Sequence, residues 1–210
     1  MNSFITIEGV EGAGKSTQAA RLADALRRDG RNVVLTREPG GTELGRTLRR
    51  MLLDEPVIEP SAETELLLYL ADRAEHVRRL IEPALERGAI VIADRFSDST
   101  IAYQSYARGL PEEEVRRLDR FARRDLTPGL TFVLDLPAAE GLARARAARA
   151  ADRLEREGLE FHERVRAGFA AIAAADPKRV VVLDGRLAVD DLGRAIATRV
   201  FEHLAERGSP

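Results

Sequence analysis

The sequence has no cysteine, which excludes disulfides, thiolate metal sites and cysteine nucleophiles together. No apolar run approaches the roughly 18 residues that a membrane span needs. The start, Met-Asn-Ser-Phe-Ile-Thr-Ile-Glu, has neither a basic n-region nor a long apolar h-region, so a cytoplasmic protein is expected. Net charge is nearly absent: 33 basic against 35 acidic residues leave -2, which gives no global field for nucleic acid. Lysine is scarce as well. Only Lys15 and Lys178 are lysine and every other cation is arginine, as a GC-rich coding bias would produce. Repeats of fixed period and Ser/Gly-rich linkers are also lacking. What remains is 210 residues, 44% hydrophobic and 32% charged, enough for one globular domain over residues 1–210.

Short β-branched-rich runs alternate with helical patterns. Phe4 to Ile7, Val33 to Leu35, Ala89 to Ala93, Phe132 to Leu134 and Val180 to Leu183 each suit a strand buried on both faces. Between them, Leu22, Ala25 and Leu26 share a helix face. So do Val115, Leu118 and Phe121, then Phe161, Val165, Phe169 and Ile172, then Leu192, Ile196, Val200 and Leu204. This alternation predicts an α/β fold: a five-stranded parallel sheet flanked by helices. Two stretches depart from it. Residues 37–60 hold Pro39, Gly40, Gly41, Pro56 and Pro60 around a short helix, Leu44 to Leu53. Residues 141–158 are rich in Ala and Arg and poor in large apolar side chains, which predicts a solvated helix or a small mobile lid.

Gly9-Val10-Glu11-Gly12-Ala13-Gly14-Lys15-Ser16 matches G-x-x-x-x-G-K-[ST], between an apolar strand and a helix. The glycines let successive N–H groups point at a phosphate chain, and the helix after them adds its dipole. Lys15 would reach the β- and γ-phosphates of ATP, the Ser16 hydroxyl would ligate Mg²⁺, and Thr17 next to it would also bind ATP. One of two lysines thus occupies the one position that needs it. An Asn-Lys-x-Asp guanine reader is missing, since Gly14 and Pro177 precede the lysines. Position 10 is Val rather than the early Lys of partition-type ATPases, and the chain is short for a helicase or transporter ATPase. Small phosphotransferases remain.

Further ordered blocks narrow the class: Glu8-Gly9, Thr36-Arg37-Glu38-Pro39-Gly40-Gly41, Ala71-Asp72-Arg73-Ala74-Glu75-His76, Asp94-Arg95-Phe96, Ala102-Tyr103-Gln104 and Asp152-Arg153-Leu154-Glu155. Over nearly its whole length the sequence resembles the thymidylate (dTMP) kinases of bacterial type. That resemblance implies a P-loop, nucleoside-monophosphate-kinase-like fold and transfer of the γ-phosphoryl group of ATP–Mg²⁺ to dTMP, without a covalent intermediate. It also implies a homodimer, with no nucleic-acid or membrane partner.

The resemblance gives each residue a part. Asp94 would be the magnesium-side acid, with Asp135, at another strand end, as the alternative. Arg95 would grip the acceptor phosphate, and Arg37, Glu38 and Pro39 would lie beside it. Tyr69 and Arg73, spaced i, i+4, put an aromatic plane and a guanidinium on one helix face for thymine. Tyr69 is equally suited to the core, among Leu66, Leu67 and Leu70. Ser99, Thr100, Tyr103 and Gln104 would face base and sugar, Tyr103 crowding any 2′-hydroxyl. Two positions depart from the family: Phe96 stands where Tyr is common, and Ser105 to Gly109 replaces a Gly-rich segment. Glu11 in the phosphate loop is electrostatically odd, and is better aimed at the sugar 3′-hydroxyl, at Mg²⁺ or at its water. The cation it displaces would come from the lid, where Arg144, Arg146, Arg149 and Arg153 crowd together. Arg153 is the first candidate and Arg149 the second. The loop Asp184 to Leu187 is the expected adenine side. His76, His162 and His203 lack metal-ligand spacing and read as ordinary surface or helix residues. Two rivals stay open: a kinase for another acceptor on the same scaffold, and a nucleotide-dependent switch.

Overall fold

The apolar runs form the strands of one parallel sheet in the computed structural model, which describes residues 3–54, 59–148 and 150–206. These are β1 (Phe4–Gly9), β2 (Val33–Arg37), β3 (Ile90–Asp94), β4 (Leu130–Asp135) and β5 (Val180–Asp184), in the order β2-β3-β1-β4-β5. All four neighbouring pairs are parallel. The central strand β1 is buried along its length, and β3 and β4 up to Asp94 and Asp135. The expectation of burial on both faces fails for β2 and β5. Both are edge strands, and Leu35 and Val182 remain exposed there.

Helices cover the sheet. They are α1 (Lys15–Arg28), α2 (Glu43–Arg49), α3 (Ala62–His76), α4 (Glu82–Glu86), α5 (Ser97–Thr100), α6 (Glu112–Ala122), α7 (Ala138–Ala148), α8 (Leu159–Ala175) and α9 (Val189–Ala205). Thr42 and Ser61 cap α2 and α3 by accepting from Gly45 N–H and Thr64 N–H. Wider π-type turns continue three helices: Arg50–Asp54, Val77–Ile81 and Ile101–Ala107. The last of these carries Tyr103 and Gln104, in keeping with the occurrence of π-type turns at functional sites. One core cluster joins Ile5, Ile7 and Phe132 to Leu22, Phe161, Phe169 and Ile196. A second packs Phe4, Val91 and Phe96 against Val77 and Ile81.

Three expectations are corrected here. Phe121 does not share the buried face of α6. It is 85% exposed, because the inward stripe runs Val115, Asp119, Ala122 and turns a carboxylate to the interior. The three histidines are not surface residues. His76, His162 and His203 are all buried, and His76 bridges Thr36 Oγ1 and Glu38. The stretch 141–158 is solvated on one side only: Gly141, Leu142, Ala145 and Leu154 are buried, while Ala143, Arg144, Arg146 and Ala147 are exposed. Arg149, like Pro56, lies outside the described residues.

Gly141 explains part of that burial. A Cβ at this position would overlap the carbonyl oxygen of Glu11, and one at Gly12 would overlap the carbonyl of Gly141. Helix α7 therefore lies backbone to backbone on the phosphate loop. Helix propensity alone says that Gly141→Ala stabilises by about 1 kcal/mol. The contact reverses the sign, with an expected loss of about 1–3 kcal/mol from overpacking. A higher melting temperature for Gly141→Ala would refute the close packing of α7 on the loop.

Candidate active site

Register brings the motifs together. Ile7 pairs with Asp94 and Arg37 pairs with Asp94 across β1, β3 and β2. The phosphate loop, the Asp94-Arg95 turn and the Arg37-Glu38-Pro39 turn therefore leave the sheet side by side at its carboxyl edge. The direction of chain progression reverses about β1 there, where open α/β sheets hold ligands. A cavity of about 380 Å³ opens at this edge. Its phosphate-loop end is lined by Glu11, Gly12, Gly14, Lys15, Ser16 and Thr17. Gly9, Val10 and Ala13 lie behind it and do not line it. Lys15 Nζ donates to Val10 O at 2.6 Å. Burial pushes its pKa down to about 8, Arg95 adds to the shift, and Glu11 and Asp94 oppose it.

Arg95 is the hub of the site. Its backbone φ is +70°, uncommon for a non-glycine residue. Its N–H donates to Ile7 O, and the next residue's N–H, on Phe96, donates to the buried Glu8 carboxylate. Nη1 of Arg95 donates to Gly9 O and Ser99 Oγ, each at 3.0 Å. Nη2 donates to Glu11 Oε1 at 2.6 Å and to Tyr103 Oη at 3.1 Å. The guanidinium carbon also lies 5.1 Å from the centre of the Tyr103 ring. Tyr103 itself donates to Glu11 at 2.7 Å. The oddity of Glu11 is thereby resolved. Burial opposes its charge, yet Arg95, Lys15 and the Tyr103 hydroxyl hold its pKa down to about 2.

Tyr69, Arg73, Ser99, Thr100, Tyr103 and Gln104 all line the far wall of the same cavity, with Arg37, Glu38 and Pro39. Tyr69 is half-buried; it packs against the main core cluster and also lines the cavity. Arg73 is only 2% exposed. Its Nε and Nη2 are spent on Glu38 and its Nη1 on Thr100 Oγ1 and Asp119. The expected guanidinium for a base is thus narrowed to one N–H of Nη2. Phe96, the position without a hydroxyl, packs edge-on to Phe4 and lies 5.0 Å from the Arg73 guanidinium. Gln104 Nε2 donates to Glu65 at 3.0 Å.

Ser16 Oγ donates to Asp94, so the hydroxyl and the carboxylate meet at one point of the cavity. Two hard oxygen donors beside a phosphate loop suit Mg²⁺, which keeps waters and phosphate oxygens as its other ligands. Asp135 does not share this position. It lies on a separate surface, held by both Nε and Nη2 of Arg166. In the lid, Arg144 and Asp152 line the cavity and Arg153 does not. Arg153 Nε donates to Leu52 O at 2.7 Å and its Nη2 to Glu65. The Asp184 to Leu187 loop also lies off this cavity, with Gly185 O accepting from Arg144 at 3.0 Å.

Sequence reasoning noted Glu8 only as part of a block and gave no role to it or to Glu65, Asp119, Arg49 and Leu53. Glu8 is buried beside Asp98, and both effects push its pKa up to about 8. An isolated Glu inside a β-strand pattern was the available signal for it. Arg49, at the end of α2, and Leu53, in the π-type turn after it, line the cavity. Nothing local distinguishes Glu65 or Asp119, because their partners are far along the chain.

Comparison with known proteins agrees with this geometry. The family model described as Thymidylate kinase matches residues 7–196. A thymidylate kinase from Synechococcus sp. (strain JA-2-3B'a(2-13)) is 52% identical over 204 residues, covering 97% of this chain and 95% of its own. One from Thermomicrobium roseum is 52% identical over 209 residues, covering 99% and 98%. The crystal structure of thymidylate kinase from Ehrlichia chaffeensis matches with a TM-score of 0.77 at 35% identity, over 94% of this chain and 97% of that one.

The depressed pKa of Lys15 has a measurable consequence. Protonated Lys15 favours a polyphosphate, and its charge is lost as pH rises through about 8. Calorimetric affinity for ATP should fall about tenfold between pH 7 and pH 9.5. The fall should be absent from Lys15→Met. An equal slope in both proteins would assign the titration to another group.

Proposed function

The chain belongs to the thymidylate kinase family, and from that premise we propose a division of labour among the residues around its cavity. The protein is a phosphotransferase on a P-loop nucleoside-monophosphate-kinase fold that phosphorylates dTMP with ATP as donor. The observation that carries the division is the position of Arg95, which touches the phosphate loop at Gly9 and Glu11 and the far wall at Ser99 and Tyr103. A guanidinium between those ends suits the 5′-phosphate of an acceptor whose base lies toward Tyr69.

In this reading the loop N–H groups and Lys15 hold the β- and γ-phosphates of ATP. Ser16 and Asp94 would hold Mg²⁺, which when bound neutralises charge on the bridging phosphate oxygens. Arg95 fixes the acceptor phosphate in line, and that phosphate's oxygen is itself the nucleophile, so no protein nucleophile is needed. Arg37, Glu38 and Pro39 border the acceptor phosphate. Tyr69 stacks on thymine, the remaining N–H of Arg73 reaches a carbonyl of the base, and Gln104 and Thr100 edge it. Tyr103, held by Glu11 and Arg95, crowds the sugar C2′ position. Glu11 faces the 3′-hydroxyl or the water around the metal. Arg153, or Arg149 as the second candidate, supplies the lid cation for the transferring group, and Arg153 must exchange Glu65 for phosphate to do so. ATP and dTMP as substrates support a cytoplasmic enzyme, and the -2 net charge supports no nucleic-acid partner. Among the described residues no helix is long and apolar enough to cross a membrane.

Coupled ADP release against dTMP, dUMP, dCMP, UMP, AMP, GMP and thymidine tests the assignment. Strong turnover on dTMP and weak turnover on dUMP are expected. Preference for another acceptor would overturn the roles of Tyr69, Arg73 and Tyr103. ATP binding without any acceptor turnover would favour the switch. In the same assay Arg153→Ala should lower kcat by about 10³-fold. A loss within a few-fold removes Arg153 from catalysis.

The homodimer has a surface that fits it. Leu67 on α3 and Phe121 on α6, 57% and 85% exposed, lie on two helices that pack together. A second copy covering them would remove that apolar area from water. Sedimentation should give a two-chain mass that Phe121→Glu reduces to one. A one-chain mass for the unaltered protein would refute the dimer.

A further inference from the structure

Glu65 lies on α3 one turn before Tyr69, and its side chain is 1% exposed. It does not line the cavity, yet it touches three side chains of two segments beside it. Its Oε1 accepts from Gln104 Nε2 at 3.0 Å and from Arg108 Nε at 3.1 Å. Its Oε2 accepts from Arg108 Nη2 at 3.1 Å and from Arg153 Nη2. Arg108 in turn pairs with Glu157 at 2.7 Å, and its guanidinium lies 4.6 Å from the centre of the Phe161 ring. Arg153 is fastened a second time through its backbone N–H to Leu53 O at 3.1 Å. One buried carboxylate thus meets the cavity wall through Gln104 and the segment 152–157 through Arg153 and Arg108.

Two consequences follow from its chemistry. A carboxylate only accepts, so the amide nitrogen of Gln104 must face Glu65 and the amide carbonyl must turn the other way. Gln104 lines the cavity, so the carbonyl end is what a ligand there meets. An acceptor at that place suits the N3–H of thymine or uracil and opposes cytosine, whose N3 is itself an acceptor. Against burial, the hydrogen bonds from Arg108 and Gln104 hold the Glu65 carboxyl below the usual carboxylate range, so the group stays ionised and acceptor-only. The second consequence concerns the lid. Arg153 is the lid side chain that reaches Glu65 directly, and this pair together with Leu52 O keeps residues 152–157 against the base wall.

We infer that Glu65 is a positioning residue that couples the base wall to the lid: it fixes which end of the Gln104 amide faces the cavity, and it anchors Arg153. The inference rests on the thymidylate kinase reading for the identity of the base, and on geometry alone for the anchor.

Glu65→Gln tests both halves, since an amide of the same shape can pair with Gln104 in either orientation and carries no charge for Arg153. The ratio of kcat/KM for dTMP over dCMP should fall about tenfold, carried by the KM for dTMP, as expected for one misdirected hydrogen bond. Glu65→Asp keeps an acceptor-only group and should restore most of that ratio. Hydrogen exchange of the amides of residues 152–157, in the protein alone, should rise in Glu65→Gln and in Arg153→Ala, with β1 and β4 unchanged. A purely structural role would lower the melting temperature and active fraction while leaving the nucleotide ratio intact. An unchanged ratio in Glu65→Gln, or unchanged exchange at 152–157 in either variant, overturns the coupling. If Glu65→Gln does not fold, Glu65→Asp and Arg153→Ala decide: collapse of the ratio in the first, or intact protection in the second, overturns it. An unaltered enzyme that does not prefer dTMP to dCMP would mark failure of the substrate reading instead, because the exchange experiment needs no nucleotide.

Discussion

The Arg95–Glu11 pair is the contact on which the site depends. A guanidinium and a carboxylate that are both largely removed from water cannot stand alone; breaking such a pair by removing one partner costs about 3–5 kcal/mol. Glu11 belongs to the phosphate loop and Arg95 to the turn after β3, so their mutual neutralisation ties the two turns together. The positive φ of Arg95 is the local cost of this arrangement. It is held by Ile7 O and by the Glu8 carboxylate on the neighbouring amide. Ser99 accepts from Arg95 and donates to Glu8, which closes the ring of contacts. The phosphate-loop end of the cavity and its far wall are thereby joined through one side chain.

The same logic repeats elsewhere in the fold with arginine as the cation each time. Arg73 forks onto Glu38 while its other terminal nitrogen reaches Asp119 and Thr100, and Arg179 forks onto Asp98. Each arrangement uses the planar set of five donors, which a lysine ammonium cannot reproduce. Where a compact point charge serves better, within the turn of the phosphate loop, the chain keeps lysine. An arginine-rich coding bias is therefore sufficient for the surface, whereas at Arg73, Arg95 and Arg179 the geometry itself requires arginine.

How much of this was legible depends on the range of the interaction. The phosphate loop is local: glycines, lysine and serine sit within eight residues between a strand and a helix, and the pattern carries its own mechanism. The strands are legible because each is a continuous apolar run, though which of them became edges was not, since sheet order is a property of the whole chain. The buried polar side chains were illegible for the same reason. Asp119 on α6 looks like one more charge on an acidic helix until Arg73, from α3, is placed against it. That partner turns the carboxylate inward and leaves Phe121 outside. His76 reads as a helix residue until Thr36 and Glu38, from β2 and the turn after it, enclose its ring.

The lid shows how a sound local argument can lose to tertiary partners. Arginines at high density repel one another, and a segment of alanines and arginines has little to bury. In the folded protein those charges are met by acceptors from elsewhere: Gly185 O for Arg144, and Leu52 O with Glu65 for Arg153. Gly141 supplies the close approach that large apolar side chains would otherwise supply. The lid movement proposed above would then be an exchange of acceptors rather than the ordering of a coil. Each hydrogen bond given up is worth about 1 kcal/mol, more where the partner is charged. A triphosphate offers an arginine several charged oxygens in return for a carbonyl and a carboxylate.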